Sequence, residues 1–264
     1  MTSRVETVID QARAEGRGVL IGYLPAGYPD LQTSIDAVIA MSHAGADIIE
    51  LGVPYSDPVM DGVVIQRATN ASLEGGFRLA NLFEILRATT GVVSAPILVM
   101  TYWNPVVQYG VERFAKELSE SGGAGLITPD LIPDEAAEWI AASDKFELDR
   151  IFLAAPSSST ERLTNAVRQS RGFVYAVSTM GITGARADLD EAARGLVGRL
   201  KDVGARRVCV GIGISTAQQV HDVTHYADGA IVGSHLVSAL TNDGVDGVSR
   251  VTAELASGLT RSAN

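Results

Sequence analysis

Short runs of apolar and β-branched residues recur along the whole chain, separated by stretches in which apolar side chains return every three or four positions. Eight such runs are visible: VLIGYL (19–24), ADIIELGV (46–53), APILVMTY (95–102), AGLIT (124–128), RIFLA (150–154), GFVYAV (172–177), RVCVGI (207–212) and GAIVG (229–233). Most are apolar at consecutive positions, the pattern of parallel strands covered on both faces. Helix-start chemistry follows several of them. Asp30 precedes LQTSIDAVIA, in which Leu31, Ile35, Val38 and Ile39 share one face. Pro133 suits a first helical position, with Asp134 and Glu135 placed to meet the positive end of the helix dipole. Ser158 with Glu161, and Ser215 with Gln218, match the capping-box spacing.

Eight strands each followed by a helix predict α/β architecture closed into a (β/α)8 TIM barrel, with an open doubly wound sheet as the competing arrangement. Two segments exceed the plain repeat: an N-terminal helix over 4–15, and a helical insert over 62–73 between the second strand and the expected helix at 79–90. A barrel of this kind reaches 264 residues as a single domain, here 1–264.

Composition narrows the function. Hydrophobic residues make up 46% and charged residues 20%, enough for a large core. The net charge of −10 disfavours nucleic acid, which needs a basic stripe. No stretch approaches ~20 apolar residues, so no membrane span is expected. The polar, amphipathic N-terminus lacks signal-peptide and transit features, and the lone Cys209 has no internal disulfide partner; both point to a cytoplasmic location.

The run ELGVPYSDPVMDG carries the first candidate chemistry. Glu50 lies inside an apolar strand, where a charge is costly, so its pKa is expected to rise toward the range useful for acid/base work; a structural, paired Glu is the alternative. Asp61 and Asp57 sit in the Pro/Gly loop that follows, where turn formation is the bland reading. GITG (181–184), GIG (211–213) and GS (233–234) follow the sixth, seventh and eighth strands, where a barrel commonly holds a phosphate. GIGIST lacks the third glycine of a dinucleotide fingerprint. His221 and His225 have zinc-ligand spacing but neither a third ligand nor the accompanying glutamate. Tyr23, Met100, Tyr102, Leu126, Leu153, Tyr175 and Ile212 are placed to line an apolar cavity at the strand ends.

ELGVPYSDPVMDG, PDLIPDE (129–135), STMGITGAR (178–186), GIGIS (211–215) and IVGS (231–234), in this order and spacing, closely resemble the tryptophan synthase alpha chain family over nearly the whole length. The resemblance implies cleavage of indole-3-glycerol phosphate to indole and glyceraldehyde 3-phosphate. It implies Glu50 as acid and then base, Asp61 as acceptor of the indole N–H, and Tyr175 near the reacting centre. Thr183, Gly184, Gly213, Gly233 and Ser234 fall on phosphate-binding positions. Tyr23, Met100, Tyr102, Leu126, Leu153 and Ile212 fall on the indole cavity. The family commonly has phenylalanine at the positions of Tyr23 and Ile212, and RSG where TMG precedes Ile182. No metal or organic cofactor is implied for this chain. The implied partner is a beta chain, carrying its own pyridoxal phosphate, in an αββα heterotetramer, with Asp57 and the loops at 54–62 and 178–190 at or near the contact. A phosphosugar enzyme using a strand lysine is the rival on the same fold, but Lys116, Lys145 and Lys201 all lie in expected helices; a non-catalytic regulatory subunit is the other.

Overall fold

Burial on both faces explains why the strand runs are apolar at every position. The computed structural model describes residues 3–177 and 186–259. Its strands are β1 (Val19–Pro25), β2 (Ile48–Gly52), β3 (Ile97–Met100), β4 (Gly125–Thr128), β5 (Asp149–Ala154), β6 (Val174–Val177), β7 (Val208–Gly211) and β8 (Gly229–Val232). Each pairs in parallel with the next, and β8 pairs back with β1 (Val19 opposite Gly229, Gly22 opposite Val232), closing the barrel. The helices are α1 (Arg4–Ala14), α2 (Leu31–His43), α3 (Val63–Glu74), α4 (Leu79–Thr90), α5 (Trp103–Tyr109), α6 (Val111–Glu120), α7 (Ala137–Lys145), α8 (Thr160–Gln169), α9 (Arg186–Asp202), α10 (Ala217–Thr224) and α11 (Ser234–Ala256, broken at Gly244). The extra N-terminal helix and the insert after the second strand are α1 and α3. The short α5 adds a helix that the apolar pattern does not announce.

Two apolar clusters follow from the alternation of side chains along each strand. Val19, Ile21, Ile48, Leu98, Ile127, Ile151, Phe173, Cys209 and Ile231 fill the barrel, whose base is plugged by Val5, Ile9 and Ala12 of α1. The intervening residues, among them Leu20, Ile49, Val99, Leu126, Phe152 and Val210, pack outward against the helices. α1 is held at its start by Ser3, whose hydroxyl accepts from Glu6 N at 3.0 Å and donates to Asp149 Oδ2 at 2.6 Å. Burial pushes the Asp149 carboxyl up to about 6, against the opposing pull of Ser3 and Arg171.

Asp30 caps α2, accepting from Thr33 N at 2.9 Å. The other helix starts correct the expected frame. Ser159, not Ser158, caps α8, and Thr216, not Ser215, caps α10 in a reciprocal box with Gln219. Adjacent hydroxyl residues make both frames available locally; burial of Leu163 and Ala166, and of Val220 and Val223, selects the one observed. Pro133 opens a 3-10 turn (Pro133–Glu135) ahead of α7 instead of the helix itself.

Candidate active site

β2 places Glu50 at an inward position, two residues beyond Ile48 and opposite Tyr23 of β1 and Leu98 of β3. The side chain is 1% exposed, and its Oε2 has no hydrogen-bond partner among the described residues. Desolvation, with the negative charge of Asp61 second, raises its pKa to about 8. At neutral pH the carboxyl therefore favours its protonated form and has a proton to give. Among the described residues no arginine forms an ion pair with Glu50.

Asp61 comes from the loop joining β2 to α3. Partial burial raises its carboxyl to about 6. The loop folds back on itself through Val59 N to Asp57 O (2.9 Å) and Asp61 N to Pro58 O (3.0 Å). Gln66 of α3 donates its amide to Asp61 O at 2.8 Å and to Pro58 O at 3.3 Å. Tyr102, two residues beyond β3, accepts from Met60 N at 2.9 Å, and its ring packs 5.2 Å from that of Tyr55. Desolvation and the charge of Asp61 push the Tyr102 phenol up to about 12. Asp57 is exposed and accepts from the Ser56 hydroxyl at 2.6 Å.

Two tyrosines share this end of the barrel, and each is given room by a glycine on the next strand. A Cβ at Gly52 would fall 2.2 Å from the Tyr23 hydroxyl, and one at Gly211 would fall 2.6 Å from that of Tyr175. Burial raises both phenols, helped at Tyr23 by Asp61 and then Glu50, and at Tyr175 by Glu50 and then, more weakly, Asp61. The two carboxyls and two phenols thus lie within one electrostatic neighbourhood. Met100 and Leu153 are half-buried against the interior cluster and extend its apolar wall. Ile212 is half-buried one residue past β7.

Leu126 is corrected by the structure. It pairs with outward-facing Val99 and is buried in the outer cluster, so it faces the helices; its neighbour Ile127 is the residue of β4 that points inward. GLIT is apolar throughout, and nothing local tells which residue of the pair faces in. The turn-holding contacts of Gln66, and the room that Gly52 and Gly211 leave for tyrosines, carry no mark in the sequence, since they exist only through neighbours on other elements.

At the ends of β7 and β8, Gly213 adopts φ +72°, a conformation that favours glycine. Gly233 caps α11 without a side-chain hydrogen bond, leaving Ser234 and the first helical turn facing the loop end: a Cβ at Gly62 would lie 3.9 Å from Ser234 Oγ. A helix N-terminus of this kind suits an anion. Thr183 and Gly184, with the loop around them, lie outside the described residues. Among the described residues no three His, Cys, Asp or Glu side chains gather as a metal site, and the rings of His221 and His225 meet edge-to-face with centres 4.2 Å apart. Lys116, Lys145 and Lys201 lie in α6, α7 and α9, away from the strands.

A family model described as tryptophan synthase alpha chain matches residues 9–261. The chain belongs to the tryptophan synthase alpha chain family. Among its relatives, the tryptophan synthase alpha chain of Leifsonia xyli is 61% identical, over 98% of this chain and 99% of that one. The Mycobacterium marinum alpha chain is 54% identical, over 97% and 95%. A structure of Mycobacterium tuberculosis tryptophan synthase superposes with a TM-score of 0.93 at 53% identity, covering 99% of this chain and all of that one. The alpha subunit from Legionella pneumophila retains a TM-score of 0.90 at only 26% identity, over 98% of each chain. Conservation of the alpha-chain barrel at that distance reflects the layered packing described above, which tolerates apolar exchange when volume and pattern are kept.

Proposed function

We propose that this chain, acting as one domain over 1–264, is the alpha subunit of a tryptophan synthase and cleaves indole-3-glycerol phosphate to indole and D-glyceraldehyde 3-phosphate. An indole ring is a poor leaving group until its C3 is protonated. Glu50 delivers that proton, forming an indolenine cation that the Asp61 carboxylate stabilises by accepting the ring N–H. Glu50, now ionised, takes the proton of the side-chain hydroxyl next to the ring. The O–H electrons form the aldehyde carbonyl, the carbon–carbon bond breaks, and its electrons restore the aromatic ring. Proton and charge return to their starting places, so the chemistry draws on no group beyond this chain's own.

The remaining parts orient the substrate. Tyr175 stands beside the reacting centre. Tyr23, Met100, Tyr102, Leu153 and Ile212, joined by Ile127 in place of Leu126, are assigned to the indole. Gly213, Gly233 and Ser234, together with Thr183 and Gly184, are assigned to the phosphate, whose grip supplies remote binding energy and orientation.

The partner in this reading is a tryptophan synthase beta chain, which holds the pyridoxal phosphate and receives the indole in an αββα assembly. Five of the six large exposed apolar side chains among the described residues, Val59, Val63, Val64, Val107 and Ile132, belong to the loops and helices that follow strands β2 to β4. Together with Asp57 they suit a docked partner at the barrel mouth. Among the described residues no helix is long and apolar enough to cross a membrane. A biosynthetic enzyme of this kind fits a cytoplasmic setting.

The observation that carries the proposal is Glu50, a buried carboxyl at an inward position of β2, with one oxygen unpartnered among the described residues. Indole release from indole-3-glycerol phosphate, followed with and without a beta chain, tests it. Asp61→Asn should lower the rate by about 10²-fold or more. A rate unchanged in Asp61→Asn would move the N–H contact elsewhere, and cleavage seen only when a beta chain is present would favour a regulatory subunit.

A further inference from the structure

Asp61 is carried by a loop, and its usefulness depends on where that loop stops. The loop runs from the end of β2 to α3 and has no side-chain cap at the helix start, where Gly62 is the N-cap. Among the described residues, two side chains from outside the loop hydrogen-bond to its turn at 58–61. One is the Tyr102 hydroxyl on Met60 N. The other is the side chain of Gln66, whose single amide group donates to the carbonyls of both Pro58 and Asp61. These carbonyls bracket the turn closed by Asp61 N to Pro58 O. Gln66 itself is fixed as part of the first turn of α3, its N–H donating to Gly62 O at 2.9 Å. One side chain on a rigid helix thus grips both ends of the turn that presents Asp61.

We infer that Gln66 is a positioning residue for the cleavage reaction, fixing the Asp61 turn through its backbone carbonyls and touching no substrate atom itself. The inference rests on the role proposed for Asp61. Gln66 has the chemistry this requires and its near neighbours do not. An amide N–H2 supplies two donors from one atom, matching two carbonyl acceptors. Glutamate at the same length would turn two attractive contacts into two repulsive ones when ionised, and methionine would leave both carbonyls without that donor. Misplacement of a catalytic group by about 1 Å costs on the order of 100-fold in rate.

The test is a cycle of Gln66→Met, Asp61→Asn and the double variant in the full chain with its beta partner, with kcat and KM for indole-3-glycerol phosphate measured separately. Gln66→Met is expected to lower kcat by about 10- to 100-fold with KM changed less than about threefold. Added to Asp61→Asn, it should lower kcat by less than about threefold further, because the group it positions is already gone. Gln66→Glu provides a readout that a purely structural role would not move: its loss should shrink as pH falls and the new carboxyl becomes a donor, whereas Gln66→Met stays flat relative to wild type. Thermal unfolding of each variant establishes that it folds. Losses that multiply in the double variant, or a Gln66→Met enzyme with normal kcat, overturn the positioning role while leaving Asp61 in place. An Asp61→Asn enzyme with an unchanged rate overturns the parent reading and this one with it.

Discussion

Replacing Glu50 by glutamine isolates the cost of the buried carboxyl. In the folded chain the group titrates at about 8, against 4.5 for an ordinary glutamate, because burial and then Asp61 disfavour its charge. The folded state therefore binds this proton more tightly than the unfolded state does. Its contribution to stability is fully present below about 4.5 and is lost progressively as pH rises toward about 8. Each tenfold in proton affinity is worth ~1.4 kcal/mol, so ionisation costs the fold on the order of 4 to 5 kcal/mol by pH 9. Glutamine cannot ionise and is free of that slope. The stability of Glu50→Gln minus that of wild type should climb by this amount between pH 5 and 9, read by urea unfolding followed by circular dichroism across the range; other titrating groups largely cancel in the difference. The same variant should lose indole release by about 10² to 10⁴-fold at all pH values. In the wild type, a protonated Glu50 and an ionised Asp61 together predict a kcat/KM profile that rises through about 6 and falls through about 8. A pH-independent stability difference would refute the placement of Glu50 in a dry, unpaired site. Near-normal turnover in Glu50→Gln would refute its role in the chemistry even if the stability slope were found.

Leu126→Ala should destabilise the chain by about 2 to 5 kcal/mol through a cavity in the outer layer, with KM for substrate unchanged; a raised KM at full stability would return Leu126 to the indole cavity. Ser3→Ala removes both the cap of α1 and the hydroxyl on buried Asp149. It should cost about 1 to 3 kcal/mol in denaturant unfolding and leave indole release intact.

The barrel was legible because it depends on features that repeat. Continuous apolar runs of strand length announce burial on two faces, and their alternation with amphipathic stretches leaves few ways to close a parallel sheet. The burial of Glu50 was legible for the same reason: a carboxylate inside an apolar run is carried into the core with the strand, at a cost in desolvation. Asp61 and the glycine loops became readable only as parts of a family pattern, since an aspartate or glycine in a loop has an ordinary turn-forming explanation. Three things were decided by tertiary structure. Which of Leu126 and Ile127 faces inward depends on register against β3 and β5, and an all-apolar strand carries no mark of its own orientation. Which hydroxyl caps α8 or α10 depends on which helix face must be buried. The grip of Gln66 on the Asp61 turn, and the room that Gly52 and Gly211 leave for Tyr23 and Tyr175, are relations between separate elements; they exist only once closure of the barrel has brought those elements within contact distance.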